Sequence, residues 1–357
     1  MIQLRDCLPV RGLALAGTVA ALLLSGGALA DQAARDAQDK AAAETVDTSR
    51  FKEEPPYKIG VSAGYLSNSW VVFALQHIRW EASKHPEVEE VIVTDAAFNP
   101  AKQVSDIEDL LRQDIDLLLY WPVDDAAIAD VLQRAVDAGV PTINTGGGFT
   151  DSPGTIANAY ISQWSLGEDV ARRLMEDLDG KGKIIAMLPI AGTTAAVDQL
   201  DALKTVLKEY PEVELLTAEY GDWNRAKAKQ ITENLLQRYP RIDGVFSPAG
   251  QMSIGVAEAF EEAGRLDEVT MSPGDEYNGW LKWVAEHRQG GAVTFPTRAG
   301  QVAVQKGLKI LKGEPVTRGT AVKDPFISPE NVDAHVDMEA PDDWWASELP
   351  PEFLPER

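Results

Sequence analysis

From Tyr57 onward the chain alternates short apolar runs with amphipathic segments of helical period, and this alternation limits the fold more than any other feature. The predicted strands are 58–63, 91–95, 116–121, 141–144, 183–188, 213–220, 244–247, 269–272 and 292–295. Between them apolar positions recur at helical spacing, as in Val104, Ile107, Leu110 and Leu111, or Leu200, Leu203, Val206 and Leu207. Asn99-Pro100 reads as a cap and first turn, and Ser165 with Glu168 as a capping box. Such alternation predicts parallel sheets covered by helices on both faces. It runs twice, over 57–162 and 165–295, with a compositional shift near 155–164. The predicted class is therefore α/β, two doubly wound parallel-sheet lobes. Ligands of such sheets bind beyond the carboxyl ends of the strands. Those tips carry Trp70, Phe98, Trp121, Trp223 and Tyr277, with Trp280 a helical turn further on.

Arg5 and Arg11 precede the apolar stretch 13–24, which ends in Gly26-Gly27-Ala28-Leu29-Ala30. This is the pattern of a secretory signal peptide, cleaved after Ala30. The stretch is shorter than the ~20 apolar residues of a spanning helix, and no later run approaches that length. The expectation is a chain exported to the periplasm and not embedded in the membrane. Cys7, the only cysteine, lies before the apolar run, so the mature chain is expected to have no disulfide and no cysteine metal site. The formal net charge of −23 becomes about −24 once Arg5, Arg11 and Asp6 are removed, which argues against nucleic acid and anionic membranes as partners. Residues 31–56, rich in Ala, Asp, Gln and Lys and closed by Pro55-Pro56, read as a flexible, solvated leader.

Catalytic sets are thin. His77, His85, His287 and His335 stand at no metal-ligand spacing, and there is no Gly-x-Ser-x-Gly elbow. Gly146, Gly147 and Gly148 follow a strand but lack both the Lys-Ser/Thr of a phosphate loop and a helix opening directly behind them. Two readings of the glycines stay open, a vacated pocket wall and a plain turn. No cofactor, metal or enzymatic activity is expected.

Several stretches taken in order resemble a known family. They are Ser67-Asn68-Ser69-Trp70, Asp95 to Gln103, Trp121-Pro122-Val123-Asp124-Asp125, Ala138-Gly139-Val140-Pro141, Ile190 to Ala196, Gly221 to Arg225 and Leu311 to Glu314. Together they resemble the periplasmic sugar-binding proteins of ABC importers, of the ribose-binding type that shares its fold with the lac repressor core. The resemblance implies a three-segment hinge near 161–164, 294–296 and 321–324. It implies an N-terminal lobe of 57–162 plus 295–322, a C-terminal lobe of 163–294 plus 323–340, and a tail at 341–357.

It also implies a ligand site. Asn68 and Trp70 fall at the first lobe's tip, and Trp70 and Trp223 occupy the positions that sandwich a sugar ring, with Trp121 and Trp280 widening the wall. Gly146 and Gly147 replace an Asp-Arg pair that reads hydroxyls. Asp198 and Gln199 stand at the second lobe's polar position, Ala249 replaces an Asn and Thr294 a Gln. Asp275 matches a hydroxyl-binding Asp, though a helix cap for the segment near Tyr277 is an equal reading. The implied ligand is a small sugar or polyol other than ribose, and the implied partner of the monomeric protein is an ABC permease. An alternative is a sensory co-protein presenting a ligand such as a methylated amine to a receptor kinase. The stretch Ser162 to Gly167 is similar to one in such a protein, and indole faces also suit cations.

Overall fold

The computed structural model describes residue 33 and residues 35–355; the signal peptide read at 1–30, with Cys7, lies outside the described residues. Strands β2 (Tyr57–Ala63), β3 (Val88–Asp95), β4 (Leu117–Trp121), β5 (Thr142–Thr145), β6 (Ala157–Tyr160) and β12 (Gly319–Ala321) form a parallel sheet in the order β12-β6-β5-β4-β2-β3. The β4 run Leu-Leu-Leu-Tyr-Trp shows why the strands are uniformly apolar. Leu117, Leu119 and Trp121 enter one core while Leu118 and Tyr120 enter another, so both faces are buried. Helices α2 (Ser69–Ser83) and α10 (Ala299–Leu311) cover the first face; α3 (Pro100–Leu111) and α4 (Asp125–Asp137) cover the second.

The second sheet repeats the design with β7 (Lys181–Leu188), β8 (Glu212–Tyr220), β9 (Gly244–Phe246) and β10 (Thr270–Met271), all parallel in the order β10-β9-β7-β8. Ile185 and Met187 face one core, and Ile184, Ala186 and Leu188 the other. Helix α5 (Gln163–Asp177) pairs with α6 (Thr194–Leu207) on one side, and α7 (Arg225–Arg238) with α8 (Gly250–Glu262) on the other. Helix α9 (Asn278–His287) packs beside α8. The molecule is thus a two-lobe, doubly wound α/β protein.

The chain changes sheets between Tyr160 and Gln163, returns to the first lobe between Ala292 and α10, and leaves it again after Ala321. Residues 292–295, read as a strand, make only single bridges, Ala292 to Gly274 and to Ile327, because they belong to this crossing rather than to a sheet. The four-residue β6 and three-residue β12 were too short and too polar to be read from sequence.

The reading of 31–56 as a solvated leader is corrected over its described part. Helix α1 (35–43) is followed by β1 (Thr45–Val46), which pairs antiparallel with β11 (Val316–Thr317). Ala42, Thr48 and Phe51 are buried, and the Arg35 guanidinium lies 3.5 Å from the Trp164 ring centroid. The tail is not confined to one lobe. Trp345 donates from Nε1 to Ser69 Oγ at 3.0 Å and meets Tyr277 edge to face, while Trp344 packs on Phe73 and its carbonyl accepts from Asn278 N–H. Among the described residues no helix is long and apolar enough to cross a membrane.

Candidate functional site

The loops after β3 and β8 share one construction, one in each lobe. Two successive non-glycine residues take left-handed φ, Ala97 and Phe98 at 51° and 62°, and Asp222 and Trp223 at 56° and 50°. Each pair is followed by an Asn whose side chain caps the next helix, Asn99 accepting from Lys102 N and Asn224 from Lys227 N. Left-handed backbone at an aromatic residue is unfavourable by about 1–2 kcal/mol. Here it turns the ring away from the sheet. Phe98 is 59 % exposed and Trp223 37 %. Phe98 stacks on Tyr65, with centroids 4.3 Å apart and planes within 7°. Ile190, in the loop between β7 and α6, and Val197, in the first turn of α6, are likewise exposed.

In the first lobe, Asn68 caps α2 by accepting from Trp70 N at 2.8 Å, which sets the direction of Trp70. The Trp70 indole is almost buried. Its Nε1 donates to the hinge carbonyl of Phe295 at 2.8 Å, and its ring meets that of Phe295 at 5.2 Å. A Cβ on Gly146 would fall 2.3 Å from the Trp70 ring, so Gly146, at φ +86°, is a seat for the indole. Gly147 differs. Its only neighbour within 4 Å would be Asn144 Oδ1, and at Gly148 there is none. The three glycines therefore have separate roles.

In the second lobe, Gln199 is buried and donates from Nε2 to Gln163 Oε1 at 2.9 Å. Asp198 beside it is half-buried; burial raises its pKa, against the pull of Arg35. Asp275 Oδ1 accepts from Gly250 N and Tyr277 N, and burial pushes the carboxyl up to about 7. The helix-cap reading is thus corrected: Asp275 Oδ1 closes a turn onto Tyr277 N and meets the first N–H of α8, while α9 is capped at Tyr277 with no side-chain hydrogen bond. Burial also pushes Glu276 up to about 8 although it accepts from Phe295 N, and Asp275 and Asp324 add to the push. Phe295 thus joins the lobes, held by Trp70 through its carbonyl and by Glu276 through its N–H.

Four further sequence expectations need correction. Trp280 widens no wall; it is fully buried and donates to Gly291 O. Trp121 is 4 % exposed, lies in the first lobe's core and donates to Tyr65 O at 3.4 Å. Thr294 Oγ1 is committed to the hinge, donating to Asp324 O and accepting from Asp324 N. Ala249 is a buried methyl at the start of α8, and its carbonyl is taken by Met252 and Ser253. The structure groups Asn68, Trp70, Gly146 and Gly147 at one tip, and Ala249 with Asp275 at another. Sequence reading missed Tyr65, Asn144 and Phe295. A polar residue inside a strand covered on both faces was the signal for Asn144.

A family model described as periplasmic binding protein domain matches residues 59–315, and the chain belongs to that family. It is similar to the ribose import binding protein of Bacillus subtilis (strain 168), with 28 % identity over 264 residues, 73 % of this chain and 84 % of that protein. It is also similar to the xylitol-binding protein of Mycolicibacterium smegmatis, with 23 % identity over 253 residues, 70 % and 71 % of the two chains. A solved ABC transporter solute binding protein of Bacillus halodurans C-125 with bound myo-inositol shares the fold, with TM-score 0.69 and 22 % identity over 79 % of this chain and 98 % of that one.

Proposed function

We propose that this protein is the solute-binding component of an ABC importer, capturing a small neutral sugar or polyol between its lobes and presenting the closed form to a permease. In this reading it is secreted by cleavage after Ala30 and works in the periplasm as a monomer that catalyses no reaction. The observation that carries the reading is the matched pair of tip loops, each projecting an aromatic ring through two left-handed residues. Apolar C–H faces of a sugar ring stack on such rings while buried amides meet its hydroxyls. Phe98, Trp223, Trp70, Gly147, Asp198 and Gln199 are the residues assigned to the ligand; ring capture by Phe98 and Trp223 from both sides closes the lobes by population shift. The binding partners named for the ribose-type and xylitol-type relatives support the ligand class.

The test is a thermal-shift panel of ribose, xylitol, myo-inositol and methylated amines on the mature protein. A ligand at ~100 times its Kd adds about 2.7 kcal/mol of stability. The expected result is a shift with a polyol or sugar, and its loss in Trp223→Ala, whose own melting temperature stays near that of the wild type because the ring is exposed. A shift with methylated amines alone would overturn the assignment. Transport by proteoliposomes holding the permease distinguishes import from presentation to a kinase.

A further inference from the structure

We infer that Asn144 Oδ1 is a ligand-reading acceptor of the first lobe, reached through the space that Gly147 leaves open, and that the ligand presents an O–H donor there. The inference rests on the proposed binding of a sugar or polyol.

The orientation of Asn144 follows from its neighbours. Asn158 Oδ1 accepts from Thr150 N at 3.0 Å and Asn158 Nδ2 donates to Thr150 O at 3.1 Å, so the Asn158 amide can face only one way. Asn158 Oδ1 is therefore an acceptor, and the group facing it at 2.9 Å must be Asn144 Nδ2. The same Nδ2 donates to Gly148 O at 2.8 Å. One donor of Asn144 thus holds the glycine loop through Gly148 O and the other is spent on Asn158 of β6. Its Oδ1 is left buried with no partner, in a residue 1 % exposed.

Leaving a buried acceptor unmade is unfavourable, so an orphan in a native fold calls for a donor from elsewhere. The space beside it is set by the glycines. Gly146 is filled by Trp70, whereas a Cβ on Gly147 would meet nothing within 4 Å except this oxygen, 3.9 Å away. A hydroxyl placed there stands beside the Trp70 seat, with its donor turned to Asn144. The other unpartnered buried acceptor among the described residues is Gln199 Oε1, in the opposite lobe. A polyol can supply a donor to each. A quaternary ammonium or a tertiary amine oxide has none to give.

The experiment uses whichever of xylitol, myo-inositol and ribose stabilises the wild type, with Kd measured by calorimetry. Gly147→Ala places a methyl in the open space without a clash, so the apo melting temperature should stay within about 1 °C while affinity falls about tenfold or more. Gly147→Ser brings its own hydroxyl within reach of Asn144 Oδ1; it should raise apo stability and weaken the polyol by a similar factor. An unchanged Kd in both variants overturns the inference and leaves the binding reading standing. Absence of polyol binding by the wild type overturns both, and is seen before any variant is made. Should either variant fold poorly, monodeoxy analogues of the bound polyol decide on the wild type: one deoxygenation should weaken binding about tenfold, and a series with no loss above about twofold refutes the assignment.

Discussion

Gly146 and Trp70 act as one unit of volume. The indole can lie on the loop only because residue 146 has no side chain, and the Nε1 hydrogen bond to Phe295 O holds it there. Gly146→Ala should therefore destabilise the protein by about 2–4 kcal/mol in urea unfolding, from overpacking together with strain at a φ of +86°. Trp70→Phe removes the atoms that clash, so the double variant should lose less than the sum of the single variants. The sequence offered no way to separate this glycine from Gly147. Both stand in one run after one strand, and the indole that fills the space above Gly146 but not above Gly147 comes from a helix some 75 residues earlier in the chain.

Among the elements, the tail has the widest reach. Trp345 is 7 % exposed, and it touches α2 of one lobe through Ser69 and the start of α9 in the other through Tyr277. Trp345→Ala should lower stability by about 3–5 kcal/mol, the range for deleting a large buried aromatic. Trp345→Phe should restore much of that but not the Ser69 hydrogen bond, and chemical denaturation of the two variants checks both. The tail 341–357 sets aromatic side chains among acids and prolines. That it reaches two lobes follows from the apposition of Ser69 and Tyr277, which are 208 positions apart. The strands were legible for the opposite reason: a run such as 117–121, apolar at every position, has few alternatives to a parallel strand buried on both faces.

At the scale of the molecule, the second lobe holds two buried carboxyls between β10 and α9 whose protons bind more tightly in the folded state. Burial puts Asp275 at about 7 and Glu276 at about 8, above their ordinary values of 3.8 and 4.5. The stability they contribute is complete below those ordinary values and is lost as pH rises through 7 and then 8. His77 acts in the opposite sense. Burial lowers it to about 4, so its contribution is present above 6.5 and lost as pH falls toward 4. Glu276→Gln removes one carboxyl term. Its unfolding free energy relative to the wild type should rise between pH 5 and 8, by on the order of 2–4 kcal/mol, then level off; urea titrations across that range measure it. A gap that stays constant with pH would show that Glu276 titrates normally.

By itself the sequence determined the parallel α/β elements, the Asn99-Pro100 cap and the loops at the strand tips, because periodicity and capping act over a few residues of contiguous chain; the capping box read at Ser165 and Glu168 is corrected, since α5 is capped by Ser162, whose hydroxyl accepts from Ser165 N. Only the tertiary structure decided that Trp223 stands open while Trp121 and Trp280 are buried, that Thr294 belongs to the hinge, and that the leader and tail pack onto the lobes. Burial depends on which distant segment comes to cover a side chain. Phe295 meeting Trp70 across 225 positions is a contact that no local pattern encodes.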